Sequence, residues 1–448
     1  MIRDQRGIPL ATGSAEAAVR LDHAILHYCT YRTDTPMLLQ AAAEADPGWA
    51  LPPCLRGYFM MLSQNQANVP LARAALGEAE ARLGRAGDER ERGHVAALAA
   101  WAGDDVHRAI DLWDDLLKAE PTDLLALRLA HFSLFWLGEN ARMRDQVERV
   151  APAWTSDLPG AGLMQGVRAF AFEECGEYGP AERCGRAAVA QNEGDLWAIH
   201  AVAHVLEMQG RADEGVGWLR RSEPNWAGAN NFVHHLWWHR CLFHLERGET
   251  ADALGLYDTG VRDLGSPLVK TQPDLYIDIQ NAVALLWRLE HLGVAVGGRW
   301  GELADLGERR IGDHRNLFTL PHWMLALMSD GRVAAADAML AALAADAADG
   351  KSSQVPALRE AVLPTCAGIH ALKRGDAAGA VERLLAARPH WRRLGASHAQ
   401  RDLLSQILLS AAVRAGRSDV VARLVADEQA ARPVPAAQRS AYARWAAG

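Results

Sequence analysis

Imidazoles crowd one stretch of this chain. Of its 17 histidines, His200, His204, His234, His235, His239 and His244 all fall between Leu196 and Gly248. The pairs His200/His204 and His235/His239 are each spaced i, i+4, which on a helix sets both rings of a pair on one face. Glu207 extends the first stripe by a turn, and Trp238 and Leu242 flank the second. At about 100° per residue, counted from the nearest turn glycine, both pairs and His322 fall within one sector. Imidazoles gathered this way move protons near neutral pH or ligate zinc or iron.

Two further stripes point to the same space. Asp274, Asp278 and Asn281 are spaced i, i+4, i+7 in PDLYIDIQNAVALLWRLEHLG, where Pro273 gives Asp274 a helix-start role. In GASHAQRDLL, Ser397 is placed to cap a helix, His398 and Asp402 share a face, and Arg401 is a natural anchor for a carboxylate or phosphate. One reading is a small-molecule pocket, with or without acid–base catalysis of hydrolase or lyase type. It takes His235, His239, His204, Asp278 and Asp402 as catalytic, and His200, Trp238, His322, His398, Arg401 and Asn281 as substrate-binding. A second is a non-catalytic scaffold for a peptide or protein. A third is a metal-dependent enzyme or sensor built on the two HxxxH pairs; these lack the HExxH order, since Ala201 follows His200. Core histidines hydrogen-bonded to neighbouring helices are the structural alternative.

The elements that position these groups are helices. Half of the residues are hydrophobic, and alanine and leucine dominate over β-branched types, which favours helix. One unit recurs: an apolar helix, a turn glycine, and a second helix with small residues on one face. HVAALAAWAGDDVHRAIDLWDDLLKAEPTD is its clearest copy. The turn glycines Gly103, Gly138, Gly176, Gly210, Gly248, Gly293, Gly331, Gly375 and Gly416 recur near the about 34-residue tetratricopeptide period. No such hairpin hides its apolar face alone, so stacking must complete the core. The pattern predicts an all-α solenoid of about ten antiparallel hairpins in a right-handed superhelix. It spans residues 1–448 as a single domain, with a weak elbow at 341–357. Residues 1–20 read as a tail leading into the first helix.

Composition narrows the partners. The net charge is −8 and no lysine- or arginine-rich run occurs, so no nucleic-acid partner is expected. The start lacks a hydrophobic signal core and no apolar run spans a membrane. Six dispersed cysteines without a CxxC suit reduced thiols in the cytoplasm. Without a GxSxG, a Walker A loop or a strand-borne GxGxxG, no cofactor is expected. Expected partners are a small organic molecule, an anionic one being favoured by Arg401, and a second copy of the chain in a homodimer.

The segments HAVAHVLEMQGRADEGVGWL, HHLWWHRCLFHLERGE and GASHAQRD together resemble the tetratricopeptide repeat protein 38 family over nearly the whole chain. The family pattern reads GGSHAQRD, so Ala396 departs from it while Ser397 to Asp402 fit. The resemblance implies a tetratricopeptide-like solenoid and no established activity. It also implies that His200, His204, His235, Trp238, His239, His398, Gln400, Arg401 and Asp402 belong to a recurring set.

Overall fold

The computed structural model describes residues 2–84 and 88–446. Helical hairpins follow one another along the chain: Glu89–Ala102 with Val106–Ala119, Leu124–Trp136 with Asn140–Val150, Ala161–Glu173 with Tyr178–Gln191, and so on to His398–Arg414 with Ser418–Ala431. The expected all-α solenoid is what forms. Most turn glycines are left-handed, with Gly138 at φ 69° and Gly416 at φ 68°. The first is an exception: Gly103 has φ −87° and Asp104 takes φ 70° instead. The turn slips by one residue because aspartate tolerates this region better than most side chains.

The chain forms two compact units. The first takes the chain to Val202 with Asn225–Asn230 and Lys351–Ser353; the second takes Ala203–Pro224, Asn231–Gly350 and the chain from Gln354. The first unit begins with a departure from the expected tail. Ile2–Arg3 and Pro9–Leu10 pair as antiparallel strands, and the buried Arg6 guanidinium between them reaches Asp22 and Asp4. Ser14 then caps the helix Ala15–Cys29 by accepting from the Ala17 amide at 3.1 Å.

Deeper in this unit, Trp113 packs edge-on against Tyr58 and Trp101, with centroids 5.7 and 5.4 Å apart. The Tyr58 hydroxyl donates to the His94 carbonyl at 2.6 Å and accepts from Trp113 Nε1 at 3.1 Å. His94 lies in the same cluster. It is fully buried, its Nε2 3.1 Å from Asp123 Oδ2. Burial opposes ionisation of Asp123, but Arg90 and His94 beside it hold its carboxyl well below the usual range.

In the second unit the first helices of the hairpins are buried on nearly every side. Tyr276–His291 and Thr319–Ser329 are examples, as expected where each hairpin is covered by its neighbours. Phe232–Glu246 packs so closely on Ala212–Ser222 that a Cβ on Gly215 would overlap the Phe243 ring. All six cysteines are free thiols; Cys29, Cys54, Cys241 and Cys366 are buried. Burial pushes the Cys29 thiol up to about 12 and raises Cys54, Cys241 and Cys366 as well. Among the described residues, no helix is long and apolar enough to cross a membrane.

Candidate metal site

Three largely buried helices carry the histidine cluster and its support: Leu196–Met208, Phe232–Glu246 and Tyr276–His291. Within the second unit His204, His235 and His239 converge. Each offers a ring nitrogen, and these nitrogens lie within 4.8 Å of one another. The His204 and His239 ring centroids are 4.4 Å apart, and those of His235 and His239 4.7 Å. None of the three rings is more than 3% exposed.

Neighbouring groups orient the rings. His235 Nδ1–H donates to Asn281 Oδ1 at 2.8 Å, which leaves its Nε2 lone pair for another partner. Trp238 stacks on the same ring at 5.2 Å and 11°. His239 Nδ1 lies 3.4 Å from Glu207 Oε2, whose other oxygen faces Arg432 Nη1 at 3.6 Å. Burial pushes His204 and His235 well below the usual imidazole range and His239 down to about 3. The rings are therefore neutral at physiological pH, the protonation state in which imidazole ligates a metal.

The other sequence candidates are distributed. His200 lies one turn before His204 on the same helix, in the first unit, where its ring stacks on Phe170 at 5.4 Å and 23°. His322 donates from Nδ1 to the Phe318 carbonyl at 2.8 Å within its own helix, and burial pushes it down to about 3. His398 is half-buried at the first position after Ser397, which forms a full capping box with Gln400. Arg401 turns back on its own loop and donates to the Gly395 carbonyl at 3.1 Å and to that of Ala396.

Asp278 is fully buried. Its Oδ2 accepts from Asn231 Nδ2 at 2.6 Å, and Oδ1 has no hydrogen-bond partner among the described residues. Burial pushes its carboxyl up to about 6, against the pull of His234, Asn231 and Arg262. His234, one turn after Asn231, donates from Nδ1 to the Gly260 carbonyl at 2.6 Å, in a π-helical turn over Tyr257–Val261. Asp402 accepts from the Tyr442 hydroxyl and from Gln406 Nε2, both at 2.6 Å. Burial works against its charge, but Arg439, Arg432 and Arg288 hold its carboxyl below the usual range.

Asp402 also lines a cavity of about 20 Å³ with Glu207, Arg288 and Arg439. That is space for a water molecule rather than for an organic ligand, which takes about 300 Å³ or more. Arg288, Arg432, Arg439 and Tyr442 are not among the sequence candidates. Arg288 was visible as a lone cation in an apolar helix. The other three are C-terminal and gain their surroundings only when the chain folds back.

The fold and this cluster define a tetratricopeptide-like helical-repeat protein with a buried histidine site. No family model matches the chain. Among solved structures it is similar to the human IFIT1 dimer with m7Gppp-AAAA, at 14% identity over 84% of this chain and 85% of that one, with a TM-score of 0.37. A second IFIT1 dimer, with PPP-AAAA, shares 13% identity over 96% and 94%, also at 0.37. Naa15/Naa10 bound to HypK-THB shares 11% over 92% and 67%, at 0.26. These likenesses extend to helical repetition alone. They do correct one expectation, the exclusion of nucleic acid. The two IFIT1 structures are of dimers with m7Gppp-AAAA and with PPP-AAAA.

Proposed function

We propose that this protein binds a transition-metal ion in its second unit, on His204, His235 and His239, with a water-sized ligand completing the coordination. The supporting observation is the convergence of three buried imidazoles from two helices, their nitrogens within 4.8 Å. Two nitrogens on a tetrahedral zinc lie about 3.3 Å apart, so ring shifts of about an ångström suffice. Asn281 fixes the His235 tautomer, Trp238 holds that ring flat, and Glu207 stands behind His239; such outer partners accompany most metal-bound histidines. Three protein ligands leave a position open, where a bound ion supplies Lewis acidity for hydrolase- or lyase-type chemistry. On this reading the three histidines are ligands rather than free acid–base groups. Asp278 and Asp402 act on other partners. The tetratricopeptide repeat protein 38 family is the proposed kin, on the three motifs that resemble it. A cytoplasmic location is proposed with it, supported by the six free thiols.

The test is metal analysis of untagged protein, as purified and after loading with zinc, iron or copper and desalting. Near-stoichiometric retention is expected, together with a rise in melting temperature; saturation at about 100 times Kd is worth roughly 2.7 kcal/mol. His239→Ala should lose the metal while keeping its helical circular dichroism. Wild-type protein that retains none of these metals refutes the proposal.

A further inference from the structure

The second unit holds the chain's own last segment in an acidic groove, and the manner of holding is that of a peptide in a receptor. Beyond the helix Ser418–Ala431 the described residues form only two short 3-10 turns, Ala436–Gln438 and Ala443–Trp445. It is fixed by individual anchors. Arg439, 5% exposed, donates from Nε to Glu246 Oε1 at 3.0 Å, from Nη1 to Glu428, and lies 3.5 Å from Asp402 through Nη2. Glu246 uses its second oxygen to accept from the Ser440 backbone amide at 2.9 Å. One carboxylate thus reads both a side chain and the main chain of the segment. Tyr442, 1% exposed, donates its hydroxyl to Asp402 Oδ1 at 2.6 Å. Val434 lies over the left-handed turn at Gly210, where a Cβ would overlap it.

Charge balance shows what the groove requires. Glu207, Glu246, Asp402 and Glu428 face it, and the groove's own helices bring Arg288 alone among the cavity-lining cations; Arg432 and Arg439 come from the segment. Buried carboxylates stripped of their counter-cation are costly. A groove of this composition therefore selects an arginine, and the Asp402 oxygen beside it selects a hydroxyl three residues on.

We propose that this groove is a recognition surface for peptides bearing Arg-x-x-Tyr, and that Arg439–Tyr442 is its ligand in cis. The groove shares Glu207 with the proposed metal site, but peptide binding is read without any metal.

The probe is a fluorescein-labelled synthetic peptide of residues 430–446, titrated by anisotropy against the full chain carrying Arg439→Gln and Tyr442→Phe. The variant groove should bind the peptide at least tenfold more tightly than wild type, whose groove is filled. A peptide with glutamine in place of its arginine should lose at least tenfold. Equal binding of the two peptides, or none to a variant with wild-type circular dichroism, overturns the proposal. Should the variant not fold, amide hydrogen exchange on the wild-type chain decides. Excess peptide should accelerate exchange in residues 432–446 and the glutamine peptide should not; unchanged exchange overturns the proposal.

Discussion

Replacing Asp278 by asparagine should stabilise this protein, and only above about pH 4. The side chain is fully buried, and burial moves its carboxyl from 3.8 to about 6. At 1.36 kcal/mol per pH unit, that gap amounts to roughly 3 kcal/mol. An unfolded chain releases this proton near pH 4, whereas the folded chain keeps it until about pH 6. Stability is therefore complete below pH 4, falls as pH rises through 6, and stays reduced above it. Asp278→Asn carries no charge at any pH. Its carbonyl still accepts from Asn231, and its amide occupies the side where Oδ1 has no partner among the described residues.

The expected gain is close to zero at pH 4 and approaches 3 kcal/mol at pH 8. For a unit of this size that is a rise in melting temperature on the order of 6 °C. Differential scanning calorimetry of both proteins between pH 4 and 8 measures it. A difference that does not vary with pH would refute the reasoning. So would a variant less stable at pH 8 than wild type, because the carboxylate would then have a compensating cation.

Gly215→Ala should cost roughly 1–3 kcal/mol in urea denaturation, because its Cβ meets the Phe243 ring in a filled interface; Gly217→Ala, facing only the end of Arg221, is the near-neutral control. Asn281→Leu should weaken metal retention about 10- to 100-fold by releasing His235 Nδ1 from its acceptor. Equilibrium dialysis against a competing chelator reads this, with unchanged circular dichroism as the check on folding.

The architecture was legible because it depends on local signals. Turn glycines and apolar first helices predict the hairpins, and even the slip from Gly103 to Asp104 stays within the same turn. Ser397 was readable as a cap for the same reason. At Ala396 the resembling family pattern has glycine; the residue sits at φ 66°, the left-handed region that explains a glycine there. The site was legible in part. Helical spacing puts His235 and His239 on one face; packing of the neighbouring helix brings His204 opposite them. Spacing does not say which hairpins touch, so Asp278 meets Asn231 and His234, and Arg401 folds back on its own loop. The N-terminal strands escaped notice because a two-residue strand has no periodicity to read. Arg439 and Tyr442 were invisible because their meaning lies in Asp402 and Glu246, remote in sequence.

The sulfur atoms described above have a practical corollary. Four cysteines are sealed in the interior with their protons held tightly, and it is the deprotonated sulfur that attacks alkylating agents and peroxides. Modification at Cys29 or Cys54 requires the first unit to open, and at Cys241 or Cys366 the second. Mass spectrometry of iodoacetamide-treated protein therefore times the breathing of each half separately, without an introduced label.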